Sequence, residues 1–265
     1  MIAMLPTRQL FGLDFVADGD IGAVVRHLLA EDVDPPRGWR CTVTPNVDHV
    51  VRYDANALEA EVARDATVVL PDGMPIVWAG RLLGRPLRSR LTGSDLFTAL
   101  WPELAARSIP AVVVASGTDV AEGLLAEHPG ARMVVPPRFD VDDDAAVAAV
   151  VEDVVAACAQ VGARFVVVGV SMPKHHLIAH HLRRRWDGAS PAPMVLLLGA
   201  SPDFHLGLTR RAPAWMQRWG LEWLHRLAGD PRRLARRYLV DDPRFLGILW
   251  RELRAGRRGE VGARA

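Results

Sequence analysis

The chain has 265 residues, half of them apolar, which is enough to bury a substantial core. This composition excludes a disordered chain, and two cysteines, Cys41 and Cys158, are too few for a disulfide scaffold. We expect a cytoplasmic protein with buried free thiols, because neither a signal peptide nor a run of about 20 apolar residues is apparent.

The net charge of +1 is unevenly distributed along the chain. The segment from Gly207 onward has 14 Arg and 6 acidic residues, so it carries +8 and the preceding segment carries −7. It also contains four of the eight tryptophans: Trp215, Trp219, Trp223 and Trp250. An acidic body with a basic, tryptophan-rich tail indicates an enzyme core joined to a segment that meets anions or an interface.

Short apolar runs rich in β-branched residues alternate with helical patterns through the first 200 residues. The predicted strands lie near 9–16, 40–45, 67–70, 111–116, 132–135, 164–169 and 194–199. The predicted helices lie near 19–30, 49–63, 74–83, 95–107, 119–127, 143–161 and 174–185. Several strands are apolar at successive positions, which is typical of parallel strands covered on both faces. The sequence therefore predicts an α/β fold, a Rossmann-like, mostly parallel sheet with helices on both faces.

After Pro213 the pattern contains helices only. Apolar residues of an amphipathic face recur at three- and four-residue spacing: Met216, Trp219, Trp223 and Leu227. Gly229-Asp230-Pro231 is typical of one helix ending and another beginning, so we expect a helical hairpin or a kinked pair. We divide the chain into an α/β catalytic core, 1–207, and a basic helical appendage, 208–265.

Three polar clusters follow predicted strands, at the carboxyl ends where open α/β sheets bind ligands. They are Thr44-Pro45-Asn46, Pro71-Asp72-Gly73 and the segment 199–204. Each alone is no more specific than a common turn. A fourth cluster, 89–95, precedes a helix and contains Arg90, so its amides and guanidinium could hold a phosphate. No GxGxxG or GxxxxGK[ST] motif occurs, which disfavours nicotinamide and P-loop chemistry.

Two clusters have the spacing of metal ligands. Asp140-Val141-Asp142 matches a metal-binding Asp-x-Asp, but the aspartates at 142–144 are typical of a solvated helix N-terminus. His176 and His180 share a helical face within a group that includes His175 and His181, yet no carboxylate or cysteine accompanies them at a recognisable interval. We expect no metal site, and a polar, partly exposed helix at the histidines.

The tail contains Arg226, Arg233 and Arg236. Such a run is usually a solvated face, but here it is interleaved with tryptophans, which favour a membrane–water interface. Guanidinium groups also pair bidentately with phosphates. Nucleic-acid binding and subunit packing remain alternatives from the residues alone.

Taken together, six segments resemble the WecG/TagA/CpsF family of bacterial glycosyltransferases. The segments are Thr-Pro-Asn-Val-Asp-His at 44–49, Leu-Pro-Asp-Gly at 70–73, Ser-Arg-Leu-Thr-Gly-Ser-Asp at 89–95, Gly-Val-Ser-Met-Pro-Lys at 169–174, Pro-Asp-Phe-His-Leu-Gly at 202–207, and the Trp-containing pieces within 211–227. The resemblance extends from about Leu10 to Tyr238, and the order and spacing of so many segments make it specific.

The resemblance implies inverting, metal-independent transfer of a sugar from a UDP donor to a polyprenyl-diphosphate-linked sugar, without a cofactor. Members typically move N-acetylmannosamine onto N-acetylglucosaminyl-diphospho-undecaprenol for cell-surface polysaccharide or teichoic-acid-type polymers, and others transfer different sugars for exopolysaccharides. The implied location is peripheral, on the cytoplasmic face of the cell membrane. The implied partners are the donor, the lipid-linked acceptor and the membrane surface, with no nucleic acid; self-association as a homo-oligomer is left open.

The resemblance also assigns residues. The proposed catalytic base falls on Asp72, and the Thr-x-Asn pair falls on Thr44 and Asn46. The substrate-binding residues that follow from the resemblance are Arg90, Asp95 and Asp203, together with the C-terminal arginines Arg226, Arg233 and Arg236. We add His175, because its ring could hydrogen-bond a sugar hydroxyl. One departure concerns His175-His176, where family members commonly have Gln-Glu. A rival interpretation is a non-catalytic module that binds a nucleotide or lipid phosphate; a dinucleotide-dependent oxidoreductase is disfavoured by the missing glycine motif.

Overall fold

A computed structural model of the chain describes residues 5–33, 38–186 and 191–262. The strands within these ranges are β1 Thr7–Leu10, β2 Leu13–Val16, β3 Gly38–Val43, β4 Val68–Val69, β5 Ala111–Val114, β6 Arg132–Val134, β7 Phe165–Val168 and β8 Pro191–Leu197. They form one sheet in the order β1-β2-β4-β3-β8-β7-β5-β6. Only β1 and β2 pair in antiparallel orientation among these strands, and the other pairs are parallel.

The helices that precede the tail alternate with these strands. They are α1 Ile21–Val33, α2 Val47–Ala55, α3 Ala57–Arg64, α4 Met74–Leu82, α5 Gly93–Ala106, α6 Thr118–Glu127, α7 Asp144–Val161, α8 Lys174–Arg185 and α9 Ser201–His205. The predicted α/β class and mostly parallel sheet are confirmed.

The sheet has an apolar cluster on each face. Val166 and Val168 of β7 belong to one cluster, whereas Phe165 and Val167 belong to the other. All four are buried, because consecutive residues of a strand point to opposite faces and helices cover both. The successive apolar positions in the sequence are thus explained.

Two predicted elements are divided in the structure. The strand expected at 9–16 is a hairpin, because Phe11 and Gly12 adopt φ of 54° and 73° and form a two-residue turn. The helix expected at 49–63 is interrupted at Asn56, which ends α2 and whose side chain accepts hydrogen bonds from the N–H groups of Leu58 and Glu59 at the start of α3.

The tail comprises α10 Ala214–Arg218, α11 Glu222–Gly229, α12 Pro231–Arg236, a π-helical turn Arg237–Asp241, and α13 Arg244–Gly262. The predicted break at 229–231 is confirmed. The amphipathic helix predicted from 216 to 227 is wrong as one element, because Gly220 adopts a φ of +67° between α10 and α11. Trp219 caps the first helix, and Trp223 belongs to the second.

Helix α13 packs back onto the body of the protein. Phe245 is buried in the same apolar cluster as Val166 and Val168, and its ring lies 5.4 Å from that of Phe11. Glu252 forms a 2.9 Å ion pair with Arg85. Among the described helices, none combines the length and apolarity that crossing a bilayer requires.

Candidate active site

Backbone hydrogen bonds bring three sequence clusters together beyond the carboxyl ends of β3 and β4, which are neighbours in the sheet. The N–H of Asp72 donates to the carbonyl of Pro45 at 3.1 Å. The N–H of Leu91, beside Arg90, donates to the carbonyl of Pro71 at 2.9 Å. The Thr-Pro-Asn and Pro-Asp-Gly clusters therefore lie next to each other, and the Arg90 segment, which we expected only before a helix, lies beside them.

A cavity of about 290 Å³ lies between these segments and the tail. The polar residues on its core side include Asn46, Asp48, Asp72 and Arg90. Those on its tail side include Gln217, Glu222, Arg226, Arg237, Tyr238 and Asp242. Two segments distant in sequence thus contribute opposite walls of one cavity.

Asp72 is the carboxylate of the core wall. Burial and, after it, the nearby charge of Glu222 raise its pKa to about 6, although Arg226 and Arg90 act in the opposite direction. At neutral pH the group is mostly ionised, yet its pKa lies close enough to neutrality for proton transfer in either direction. Gly73 follows with a φ of +106°, a conformation that favours glycine, and α4 begins after it.

Two guanidinium groups meet at Glu222. Arg90 donates from Nη1 to Glu222 Oε2 at 3.3 Å and from Nη2 to Gln217 Oε1 at 2.9 Å. Arg226 donates from Nη2 to Glu222 Oε1 at 2.8 Å, and its guanidinium lies 5.4 Å from the Phe204 ring centroid. One arginine from the core and one from the tail therefore share a single carboxylate.

A second group of charged residues in the cavity also joins the tail to the core. Arg237 Nε lies 3.4 Å from Asp48 Oδ1, at the first turn of α2. Asp242 lies beside them, and burial raises its pKa to about 6, with Arg237 lowering and Asp48 raising it. The carboxylate oxygens of Asp48 and Asp242 can accept hydrogen bonds from hydroxyl groups.

Asn46 and Thr44 occupy different environments. Asn46 lines the cavity and caps α2: its Oδ1 accepts from the N–H of His49 at 3.2 Å, and its own N–H donates to His49 Nδ1 at 3.2 Å. Thr44 is buried and is not among the described residues that line the cavity. A Cβ on Gly93 would lie 3.1 Å from both Thr44 Oγ1 and Ser201 Oγ, so Thr44 packs against the start of α5.

Asp95 and Asp203 also lie outside the described cavity lining. Asp95 pairs with Arg211 at 2.8 Å; burial raises its pKa, but hydrogen bonds from Arg211 and Thr92 outweigh this and leave the pKa lowered. Asp203 accepts a hydrogen bond from Ser116 Oγ at 2.9 Å. The structure therefore shows both carboxylates bonded to other side chains of the protein.

His175 and His176 are buried, so the expectation of a partly exposed helix is wrong for them. Their rings lie 4.6 Å apart and pack near His49, away from the described cavity lining. His176 Nε2 lies 3.0 Å from Tyr53 Oη, and His175 Nδ1 lies 3.1 Å from the carbonyl of Val170. Burial lowers the pKa of His175 to about 4 despite that carbonyl, and burial followed by the neighbouring histidines lowers the pKa of His176.

Within 5–33, 38–186 and 191–262, no three His, Cys, Asp or Glu side chains are grouped so that they could hold an ion. Asp143, in the aspartate cluster considered as a metal site, caps α7 by accepting from the N–H of Ala146 at 3.0 Å, which is the helix-terminus arrangement we expected.

The three tail arginines selected from the sequence differ in where they lie. Arg226 lines the cavity, whereas Arg236 is 84% exposed and lies 3.9 Å from Asp241. The side chain of Arg233 lies outside the part of the chain that the structure describes. Sequence reasoning missed Glu222 and Arg237. The four-residue spacing of Glu222 and Arg226 on one helix face was an available signal for the former.

The sequence profile of the glycosyl transferase WecG/TagA/CpsF family matches residues 9–259. The chain belongs to this family. The resemblance inferred from the motifs is thereby confirmed, and the protein is a glycosyltransferase. It is 28% identical over 255 residues to an N-acetylglucosaminyldiphosphoundecaprenol N-acetyl-beta-D-mannosaminyltransferase of Bacillus spizizenii, covering 95% of this chain and 93% of the relative. It is 27% identical over 199 residues to a Bacillus subtilis protein of the same name, covering 74% and 73% of the two chains.

Proposed function

We propose that this glycosyltransferase moves N-acetylmannosamine, with inversion, from a UDP donor to N-acetylglucosamine on a polyprenyl diphosphate, for a cell-surface polymer. The acceptor and sugar are those in the names of the two Bacillus relatives. The observation that supports this chemistry best is Asp72 in a cavity that also contains Arg90 and Arg226.

Asp72 is the proposed base. The attacking sugar hydroxyl must lose its proton as it bonds to the anomeric carbon, and an ionised carboxylate can accept that proton. Because the pKa of Asp72 is about 6, we expect kcat/KM to decline as pH falls below that value.

Arg90 and Arg226 are the proposed diphosphate ligands. As the bond from the sugar to the UDP breaks, negative charge grows on the β-phosphate, and fixed guanidinium groups lower the energy of that state. The side chains of Arg237, Asp48 and Asp242, which also line the cavity, would face the sugars. The exposed Arg236 fits a role at an anionic surface better than one inside the cavity.

Asn46 is proposed to orient a sugar from the cavity wall, since its carboxamide is fixed by the start of α2. For Thr44 we propose support of this wall through its packing on Gly93. Direct substrate contacts of Asp95, His175 and Asp203 remain predictions.

Membrane docking is proposed for the tail, which contributes to the cavity and also exposes large apolar side chains. Trp219 and Leu246 are 73% and 69% exposed. Such side chains insert into the interface, and nearby arginines attract anionic lipid at about 1 kcal/mol each.

Replacing Trp219 and Leu246 by Ser should weaken co-sedimentation with anionic vesicles. Leu82→Ser, at an exposed leucine of α4, is the matched control, and equal loss with it would contradict specific docking.

The decisive experiment measures UDP release and product formation with a soluble short-chain lipid-diphosphate acceptor across several UDP sugars. Preference for UDP-N-acetylmannosamine and an inverted anomeric product would support the proposal. A different preferred sugar would redirect it to exopolysaccharide synthesis, and binding without transfer would favour the non-catalytic module. Loss of activity with a chelator, restored by zinc or manganese, would contradict metal-independent transfer.

A further inference from the structure

Glu222 is the first residue of α11 and lines the same cavity as Asp72. Its two oxygens are used separately: Oε1 accepts from Arg226 at 2.8 Å and Oε2 accepts from Arg90 at 3.3 Å. Its side chain is 24% exposed. A carboxylate from the protein thus lies between the two cavity arginines whose charges also act on Asp72.

This arrangement has the chemistry of a bound oxyanion. A phosphate accepts hydrogen bonds from guanidinium groups through separate oxygens, as the two oxygens of Glu222 do here. The two arginines balance the charges of Glu222 and Asp72, so the ligand-free cavity is close to neutral at this point. A diphosphate entering beside Glu222 would bring like charges together in a partly buried site, which is unfavourable unless the carboxylate moves away.

We propose that Glu222 occupies the position of a substrate diphosphate between Arg90 and Arg226, keeping both arginines in place until a diphosphate displaces its carboxylate. This inference rests on the proposed function and extends it by naming a positioning residue. The diphosphate is that of the nucleotide donor or that of the lipid acceptor, since both contain the same group.

A second consequence concerns the base. The charged groups that act on Asp72 are Glu222, Arg226, Arg90 and Asp95, and Glu222 is the strongest of them in raising its pKa. Removal of the negative charge of Glu222 therefore lowers the pKa of Asp72. The acidic limb of the kcat/KM profile, which reports the free enzyme, should move to lower pH.

The test compares the wild type with Glu222→Gln, which keeps the shape of the side chain and removes its charge. Calorimetry measures binding of UDP in one arm and of a soluble short-chain prenyl diphosphate in the other. We expect about five- to tenfold tighter binding of the diphosphate that takes this position, because it no longer competes with an ion pair. The arm that responds identifies the source of the diphosphate.

Glu252→Gln is the matched control, because Glu252 also joins the tail to a core arginine, Arg85, but lies outside the described cavity lining. It should change neither the binding nor the acidic limb. Glu222→Asp retains the charge on a shorter side chain and should give intermediate affinity, which provides a second variant if Glu222→Gln does not fold.

Several outcomes would overturn the inference. Unchanged or weaker binding of both ligands by Glu222→Gln, while the wild type binds, would make Glu222 a structural ion-pair partner only and leave the proposed function standing. If the acidic limb of the kcat/KM profile does not move in Glu222→Gln, the charge of Glu222 does not act on the pKa of Asp72, and this part of the inference is wrong. A wild type that binds neither UDP nor the prenyl diphosphate would overturn this inference together with the proposed function.

Discussion

The two walls of the cavity are held in place by different forces. On the core wall, Asp72 and the Arg90 segment are fixed by backbone hydrogen bonds between loops that follow paired strands. On the tail wall, Glu222 forms side-chain ion pairs with Arg226 of the same helix and with Arg90 of the core. The backbone hydrogen bonds between these loops have no group that competes with a ligand, whereas the ion pairs can exchange a partner for an incoming anion. We infer a preformed core wall and a tail wall that responds to substrate.

The largest expected effect comes from the core wall. Asp72→Asn keeps the shape of the side chain and removes the proton acceptor, so transfer should fall by about 100-fold or more. Circular dichroism should show an unchanged fold. Asp18→Asn, at an exposed ion pair with Arg88, is the control and should retain full activity. If Asp72→Asn folds and stays within about tenfold of wild type, Asp72 is not the base.

Arg226→Ala tests the tail wall. It removes one of the two cations beside Asp72 and leaves Glu222 with less compensation, so kcat/KM with a soluble acceptor should fall by about 10- to 100-fold. Arg236→Ala, at an exposed arginine of the same segment, should change this value by less than about twofold. Equal losses in both variants would mean that the general charge of the tail matters rather than the contact of Arg226.

The buried histidines should make the core sensitive to acid. Native His175 has a pKa near 4 because of burial, whereas an unfolded histidine titrates near 6.5, so the unfolded state binds more protons between these values. Stability is therefore fully present above pH 6.5 and declines toward pH 4, by up to about 3 kcal/mol for this group. Urea unfolding across this range should show a smaller decline for His175→Gln, and an identical decline would mean that other groups dominate.

The smallest expected effect concerns the attachment of the tail. A Cβ at Gly220 would lie 2.8 Å from Trp78, and its φ of +67° disfavours other residues. Gly220→Ala should lower stability by about 1–2 kcal/mol and speed proteolysis within 214–230. Gly229→Ala is the control, because a Cβ added there would meet no atom within 4 Å beyond its own helix and chain neighbours. Equal protease resistance in both variants would show that the Gly220 contact does not hold the tail.

The core wall could be predicted from sequence because it depends on local rules. Polar residues after buried strands gather at one sheet edge, which indicated Asp72 and Asn46, and Arg90 was indicated by its position before a helix. The residues of the tail wall could not all be predicted, because the break at Gly220 and the turn at 237–241 decide which tail side chains point into the cavity. Periodicity across these points assigns side chains to the wrong face.

Burial was the other limit on prediction. His175 and His176 are polar residues in a polar helix, and their sequence pattern indicates exposure. The structure buries them because α8 packs against α3 and α7, and Tyr53 supplies a hydrogen-bonding partner to His176. Thr44 illustrates the same difficulty, since its contact with Gly93 depends on how closely α5 approaches the sheet.

The π-helical turn at Arg237–Asp241 affects how residue roles can be transferred between members of the family. The N–H of Asp242 donates to the carbonyl of Arg237 at 2.8 Å, five residues back, so the turn holds one residue more than an α-helical turn. A relative with one residue fewer there could form a regular α-helix, but side chains beyond the deletion would rotate by about 100°. Pairwise alignments should therefore place insertions and deletions at this turn before any equivalence is assigned to Arg237 or Asp242.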